Sequence, residues 1–441
     1  MTVDIKIDPR IDTISMPENL KVGLMIANAR KACNGKCDDD FAGFAFGQSP
    51  FHVPESLANA LARNANKGHY SEAEGILELR EAVADFNKRH FRLNVDSSRI
   101  IIGPGTKDLI FTVFSMISGS VIIPAPSWIG YYPQLKLLGK QYHPYKLRLK
   151  YDFKIQPDEL DDYLAKLAHE KTQHLLVINN PHNPTGQVYS KEELSEIVKV
   201  CRRHDTLILA DEIYALSTYN VENFTSLGLL YPEGAFITNG LSKDRSAGGY
   251  RLGSCILPSC DSEKLFNDFS KIAATVYTNV STPTQYAAVE VYRTNEEIDE
   301  YLKITREIHR MMGWYFSKEF NKSEGVVATK PKGGFYFYAD FNQLREKLNK
   351  KGIMNSNELG QFLLSHPYHV AMVTGDTLML SPDDYGARIA FVDYNGKEAF
   401  ERYKANPPKS EYEEIEFVKN NAPLMINGID SLKTFIEFLE K

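Results

Sequence analysis

Between residues 99 and 257 the chain alternates short, unbroken apolar runs with longer stretches in which apolar residues recur at helical spacing. The apolar runs are Arg99–Gly103, Ser120–Pro124, His174–Asn179, Thr206–Ala210, Ala235–Asn239 and Gly253–Leu257. Runs this short, bounded by turn-forming residues, predict strands buried on both faces. Helical patterns such as Thr106–Ser118 and Lys191–His204 lie between them. Strand and helix in alternation predict an α/β fold, a mostly parallel central sheet flanked by helices. Ligands of such sheets sit beyond the carboxyl ends of the strands, so the residues that follow each run are where chemistry is expected.

After about residue 290 the pattern changes. The charge-rich helical stretch Glu296–Phe320 leads to a strand-like Gly334–Asp340, another helix and a second strand-like run, Arg388–Asp393. This predicts a smaller α+β domain completed by the N-terminus: residues 1–45 and 291–441, set against a large domain of residues 46–290. The stretch Asn395–Asn421 is polar and aromatic-rich without a clear period, and it predicts no element. There is no internal repeat or low-complexity tract.

Composition narrows the possibilities. A chain of 441 residues with 43% hydrophobic and 24% charged residues is ordinary for a globular protein with more than one domain's worth of core. A net charge of −6 gives no basic footprint for nucleic acid. Apolar runs long enough to span a membrane are missing, and the N-terminus lacks the apolar stretch of a signal peptide, so a cytoplasmic protein is expected. The five cysteines, Cys33, Cys37, Cys201, Cys255 and Cys260, are odd in number and read as free thiols. Cys33 and Cys37, followed by Asp38, Asp39 and Asp40, approach a metal-ligand spacing. A second short-spaced pair does not follow, so no metal is expected.

The strand ends carry the chemistry. The first runs into Gly103-Pro104-Gly105-Thr106-Lys107 and at once into a helix. Glycines allow close backbone approach, and a helix N-terminus favours an anion, so this is a candidate phosphate cradle. Its spacing is neither that of a Walker loop nor that of a dinucleotide fingerprint. The second strand leads to Pro126-Ser127-Trp128, where an aromatic can stack on a planar ligand. The third ends in Asn180-Pro181-His182-Asn183-Pro184-Thr185-Gly186, a rigid turn around Asn183. The fourth delivers Asp211-Glu212-Ile213-Tyr214, and an acid at the end of a buried strand needs a positive partner. The fifth ends at Ser242-Lys243 with Arg251 eight residues on. Lysine is the side chain that forms Schiff bases, and nearby cations lower its pKa.

Taken together, Asn183-Pro184-Thr185-Gly186, Asp211-Glu212-Ile213-Tyr214 and Ser242-Lys243…Gly249-Tyr250-Arg251-Leu252-Gly253 resemble the class I/II aminotransferases, pyridoxal-phosphate enzymes of fold type I in the aspartate aminotransferase superfamily. The resemblance spans roughly Phe46 to Asp393. It implies that Lys243 holds pyridoxal 5'-phosphate as a Schiff base and that Asp211 pairs with the pyridine nitrogen. Tyr214 and Asn183 would bond the phenolic oxygen and Trp128 would stack on the ring. Gly105, Thr106, Lys107, Ser242 and Arg251 would hold the phosphate. It further implies that Tyr70, in Gly68-His69-Tyr70, reaches the phosphate of a neighbouring subunit, which makes the unit a homodimer. Arg388, with Asn183, would bind the substrate α-carboxylate, and the Gly47 backbone would approach the substrate.

The expected activity is ping-pong transfer of an amino group from an L-amino acid to a 2-oxo acid, with Lys243 as proton carrier. The same chemistry can end instead in elimination or ring closure, as in a lyase or cyclase, and a non-catalytic ligand-binding protein is a more distant reading. Pro104, the helix start Thr106-Lys107-Asp108 and the added polar stretch after Asp393 differ from relatives and bear on the substrate. Aromatic residues expected near the pocket are Tyr131, Tyr132, Tyr277, Phe335 and Tyr336.

Overall fold

The computed structural model describes residues 5–14, 23–24, 26–27, 41–381 and 383–441. Its large sheet has seven strands: β1 (Ile100–Gly103), β2 (Val121–Ala125), β3 (Tyr142–Lys146), β4 (Leu175–Asn179), β5 (Leu207–Asp211), β6 (Ala235–Gly240) and β7 (Gly253–Ile256). They lie in the order β1-β7-β6-β5-β4-β2-β3, and β7 alone runs antiparallel to its neighbours. Along β4, Leu175 and Val177 pack into one apolar cluster while Leu176 and Ile178 pack into another, one on each face. Burial on both faces is why these strands read as unbroken apolar runs.

Helices cross between the strands. They include α1 (Thr106–Met116), α2 (Tyr131–Leu138) and α3 (Lys191–Arg203). Ser190 starts α3 with a capping box: its hydroxyl accepts from the Glu193 N–H while the Glu193 carboxylate accepts from the Ser190 N–H. The buried stripe Leu194, Ile197, Val198 and Cys201 then seats the helix on the sheet.

A four-stranded antiparallel sheet follows the long helix α4 (Glu296–Phe320). Its strands are β8 (Val327–Ala328), β9 (Tyr336–Asp340), β10 (Val373–Thr374) and β11 (Gly386–Ala390), in the order β10-β11-β9-β8. A third apolar cluster, with Met312, Phe316, Phe337 and Ile389, fills the space between this sheet and its helices. Ala42 and Phe44 from the N-terminal part join that cluster, and Ala42–Gly43 pairs in parallel with Val370–Ala371.

Several boundaries differ from the sequence reading. Asp211 is the last residue of β5, one position inside the strand. Strand β3 carried no apolar run because it is the sheet edge, where four of its five residues are partly or fully exposed and only Tyr145 is buried. Arg388 sits on β11, which is flanked on both sides. The stretch after Asn395 is helical: α5 (Gly396–Ala405) and α6 (Glu411–Asn421) precede α7 (Pro423–Glu440). Each of the first two buries only two residues, Gly396 and Ala399 or Phe417 and Val418, so no amphipathic period was visible. Caps at Asn395 and Ser410 and the pairs Arg310–Glu414 and Lys404–Glu300 hold them to α4.

Cys201 and Cys255 are buried free thiols and Cys260 an exposed one. Cys33, Cys37 and the three aspartates after them lie outside the described residues. Among the described residues, no helix is long and apolar enough to cross a membrane, and no three His, Cys, Asp or Glu side chains are grouped to hold a metal.

Candidate active site

Strand register decides which residues meet. Asn179, Asp211 and Thr238 are direct neighbours across β4, β5 and β6. Gly103, Gly253 and Gly240 are neighbours across β1, β7 and β6. A Cβ at Gly253 would lie 2.8 Å from the Thr106 nitrogen, so the glycine lets the loop before α1 fold onto the sheet.

Asp211 is buried at the centre of this row. The Tyr131 hydroxyl donates to its Oδ2 at 2.6 Å, and the Thr238 hydroxyl reaches Oδ1 at 3.4 Å. The Asn179 amide fixes the backbone by donating to the Asp211 carbonyl at 2.8 Å. Burial pushes the carboxyl pKa up, while the Tyr131 hydrogen bond, the Ile213 N–H, Thr238 and the charge on Lys243 pull it back. An acid so placed keeps its charge best when a cation is set against it.

Lys243 follows β6 by three residues and donates from Nζ to the Gly47 carbonyl at 2.7 Å. Its amine lies 5.7 and 5.5 Å from the ring centres of Tyr214 and Phe335. Burial, and then the Arg388 charge, lower its pKa from 10.5 to about 8; Lys107 and Arg251 add to the effect and Asp211 opposes it. A depressed lysine pKa means that the neutral, nucleophilic amine appears at lower pH. Recombination of the cofactor-free enzyme with pyridoxal phosphate, followed by absorbance, is therefore expected to accelerate as pH rises through about 8. A midpoint near that of an ordinary lysine would remove the site's effect on this amine.

Asn183 is held by its N–H, which donates to Asn179 Oδ1 at 2.7 Å, while its own Oδ1 is buried without a partner. Tyr214 donates its hydroxyl to that of Tyr336 at 3.1 Å, and burial holds its phenol well above the usual range. Arg388 is buried, donates to the Ala45 carbonyl at 2.6 Å and leaves Nε unpaired. At the other end, Gly105 has φ +90°, and a Cβ there would come within 2.4 Å of Arg251 Nη2. Arg251 is braced by the Gly248 and Pro104 carbonyls at 2.9 and 3.0 Å. Gly105 brings no side chain to cap α1, whose first residues are Thr106 and Lys107. Ser242, partly buried, begins the turn that carries Lys243.

Trp128 stands edge-on to Tyr131 at 5.0 Å, with the Lys107 amine 5.5 Å from its ring. Tyr70 is 85% exposed and is not gathered into this chain's own pocket. Tyr132 turns to Tyr142 and Lys136 on the outer side of α2, away from the expected cluster. Sequence reading placed Tyr131 among the pocket aromatics without tying it to Asp211, and it missed Thr238, which nothing local marks. Only the strand register and the packing of α2 bring them there.

The comparisons with known proteins decide the family. The model of the family described as aminotransferase class I and II matches residues 39–395. The chain belongs to that family. It is an aminotransferase that moves an amino group between an amino acid and an oxo acid, and it uses pyridoxal phosphate. The chain is 32% identical over 344 residues to an aspartate aminotransferase of Bacillus subtilis, an alignment covering 76% of this chain and 84% of the relative. It is 29% identical to an asparagine–oxo-acid transaminase of Streptococcus mutans, with the same coverage. Among solved structures, the aspartate aminotransferase of Thermus thermophilus with maleate aligns with a TM-score of 0.78 at 22% identity, over 96% of this chain and 100% of that one. The Rhizobium meliloti enzyme aligns at 0.79 over 97% and 100%.

The aminotransferase's own residues fit the cofactor. Asp211 offers a buried acid, Lys243 an amine of lowered pKa and the Gly105 turn a space closed to side chains. When bound, pyridoxal phosphate supplies the electron sink that stabilises negative charge at the substrate Cα.

Proposed function

We propose that the enzyme takes its amino group from an amino acid with a second, side-chain carboxylate, aspartate in the first place, and passes it on to a 2-oxo acid in a ping-pong cycle. Lys107 carries this reading. Among the described residues no carboxylate is paired with its amine, which lies over Trp128 and adds to the field around Lys243. Arg388 can grip the α-carboxylate through its unpaired Nε, so among the described residues Lys107 is the cation left for the other end of a dicarboxylate. The names of the relatives support the same donor class.

In this reading the Lys243 amine would hold the cofactor, and as a free amine it would move the substrate Cα proton; its lowered pKa suits a base at neutral pH. Asp211 would hold the cofactor's ring nitrogen, Tyr214 and Asn183 its phenolic oxygen, and Trp128 would lie against its ring. Gly105, Thr106, the Lys107 main chain, Ser242 and Arg251 take the phosphate. Asn183 assists Arg388 at the α-carboxylate, and Gly47 brings its backbone to the substrate. The exposed Tyr70 reaches the phosphate of a second copy in a homodimer. Residues 46–290 form the large domain, residues 1–45 with 291–441 form the small one, and the enzyme is cytoplasmic.

Lys107→Ala tests the donor class. A charge-assisted hydrogen bond is worth about 1.5–3 kcal/mol, so kcat/KM for aspartate and glutamate is expected to fall about 10- to 100-fold. The half-reaction with alanine or phenylalanine, read from the cofactor's absorbance, is expected to change little. Equal losses on every donor would return the Lys107 side chain to the phosphate and leave the dicarboxylate reading without support.

A further inference from the structure

Tyr336 lies where Arg388, Tyr214 and the Gly47 backbone meet. It opens β9 opposite Ala390 of β11 and is buried. Its ring lies 4.7 Å from the Arg388 guanidinium carbon, as a platform under that side chain. Its hydroxyl is bonded to that of Tyr214 at 3.1 Å. A Cβ at Gly47 would come within 2.4 Å of the same hydroxyl, so the residue whose carbonyl receives Lys243 packs directly against it. One side chain thus touches the candidate carboxylate-binding arginine, the candidate phenol-bonding tyrosine and the backbone that receives the lysine.

We propose that Tyr336 is a positioning residue that sets both the donor strength of Tyr214 and the posture of Arg388. The inference rests on the roles proposed above for those two residues. Two hydroxyls share one hydrogen bond, and rotation of the O–H groups exchanges donor and acceptor. When Tyr214 turns its hydrogen to an anionic oxygen, Tyr336 donates to Tyr214 in its place. A hydroxyl that accepts a hydrogen bond becomes a stronger donor, so the pair acts as a short cooperative chain. The ring contributes separately: an aromatic face beneath a buried guanidinium attracts it and limits its rotamers. Phenylalanine at 336 would retain the second effect and lose the first, whereas leucine would lose both.

The test separates these two effects on the cofactor-loaded enzyme. For Tyr336→Phe, the pH midpoint of the visible cofactor band is expected to rise by about half to one unit, the worth of one net hydrogen bond. Its kcat is expected to fall about 3- to 10-fold with KM for aspartate little changed. Tyr336→Leu is expected to show the same shift and in addition to raise KM for aspartate, and the dissociation constant of maleate as an unreactive dicarboxylate, about 3- to 30-fold. Tyr214→Phe is measured alongside. If Tyr214→Phe moves the midpoint and Tyr336→Phe does not, the proposal for Tyr336 is overturned while the reading of Tyr214 stands. If Tyr214→Phe leaves the midpoint where it was, both fall. If Tyr336→Leu binds maleate as tightly as the phenylalanine variant, the platform under Arg388 is discarded.

Discussion

Lys243→Ala is expected to reduce turnover by at least about 10⁴-fold, because one side chain supplies two separate contributions. In the proposed reading the first is covalent: the amine would hold the cofactor where Asp211, Asn183 and the Gly105 turn converge. The second is proton transfer at the substrate Cα, worth about 10²- to 10⁴-fold by itself. The site prepares this amine by burial and by the charge of Arg388, which together bring its pKa to about 8. Alanine removes the amine and leaves the remaining polar groups in place, so the variant is expected to bind pyridoxal phosphate with its absorption displaced from that of the wild type. Steady-state assay with aspartate and a visible spectrum check both points. Residual turnover above about one per cent of wild type would show that another group moves the proton.

Asp211→Asn is expected to lower kcat by about 10²- to 10⁴-fold with almost no change in shape. The amide oxygen can still accept from the Tyr131 hydroxyl while the amide NH2 donates to the Thr238 hydroxyl oxygen; these two oxygens lie 2.6 and 3.4 Å from the carboxylate. What it lacks is the charge. Leaving a buried charge without its partner costs about 3–5 kcal/mol, and each 1.4 kcal/mol is a factor of ten. The cofactor's ring nitrogen would then keep its proton poorly, and the electron sink would weaken in proportion. Single-turnover bleaching of the visible band by aspartate is the measurement. A loss under tenfold would mean that the Asp211 charge is not set against the ring. Tyr131→Phe, which keeps the carboxylate and removes one donor, is expected to give a smaller loss in the same assay.

Much of this site was legible because it is modular along the chain. Each of Gly105, Trp128, Asn183, Asp211 and Lys243 follows, or ends, its own apolar run, and a parallel sheet brings the ends of such runs to one edge. The residues that the sequence did not reveal are those whose role depends on packing between segments. Tyr131 reaches Asp211 from α2, eighty residues earlier in the chain. Thr238 stands beside Asp211 because β6 pairs with β5 in one register and not in the next, where its side chain would point to the opposite face. Tyr336 looked like one aromatic among many until β9 and β11 were paired. The two helices after Asn395 were missed because each buries only two residues, so their caps and ion pairs to α4 replace the apolar stripe that marks a helix.

By itself, then, the sequence determined the α/β alternation, the family and the order in which the chemical groups are delivered. Those properties are local: a buried strand needs a continuous apolar run, and a turn against a phosphate needs a glycine at positive φ. The tertiary structure decided how the groups act on one another. The pKa of Lys243 depends on Arg388, which is 145 residues away in sequence and on a different sheet. The Asp211 carboxylate is held by a hydroxyl from α2, and the Tyr214 hydroxyl is bonded to a residue of β9. Electrostatic and hydrogen-bond couplings act over a few ångströms in space regardless of chain separation, so only the packed fold sets them.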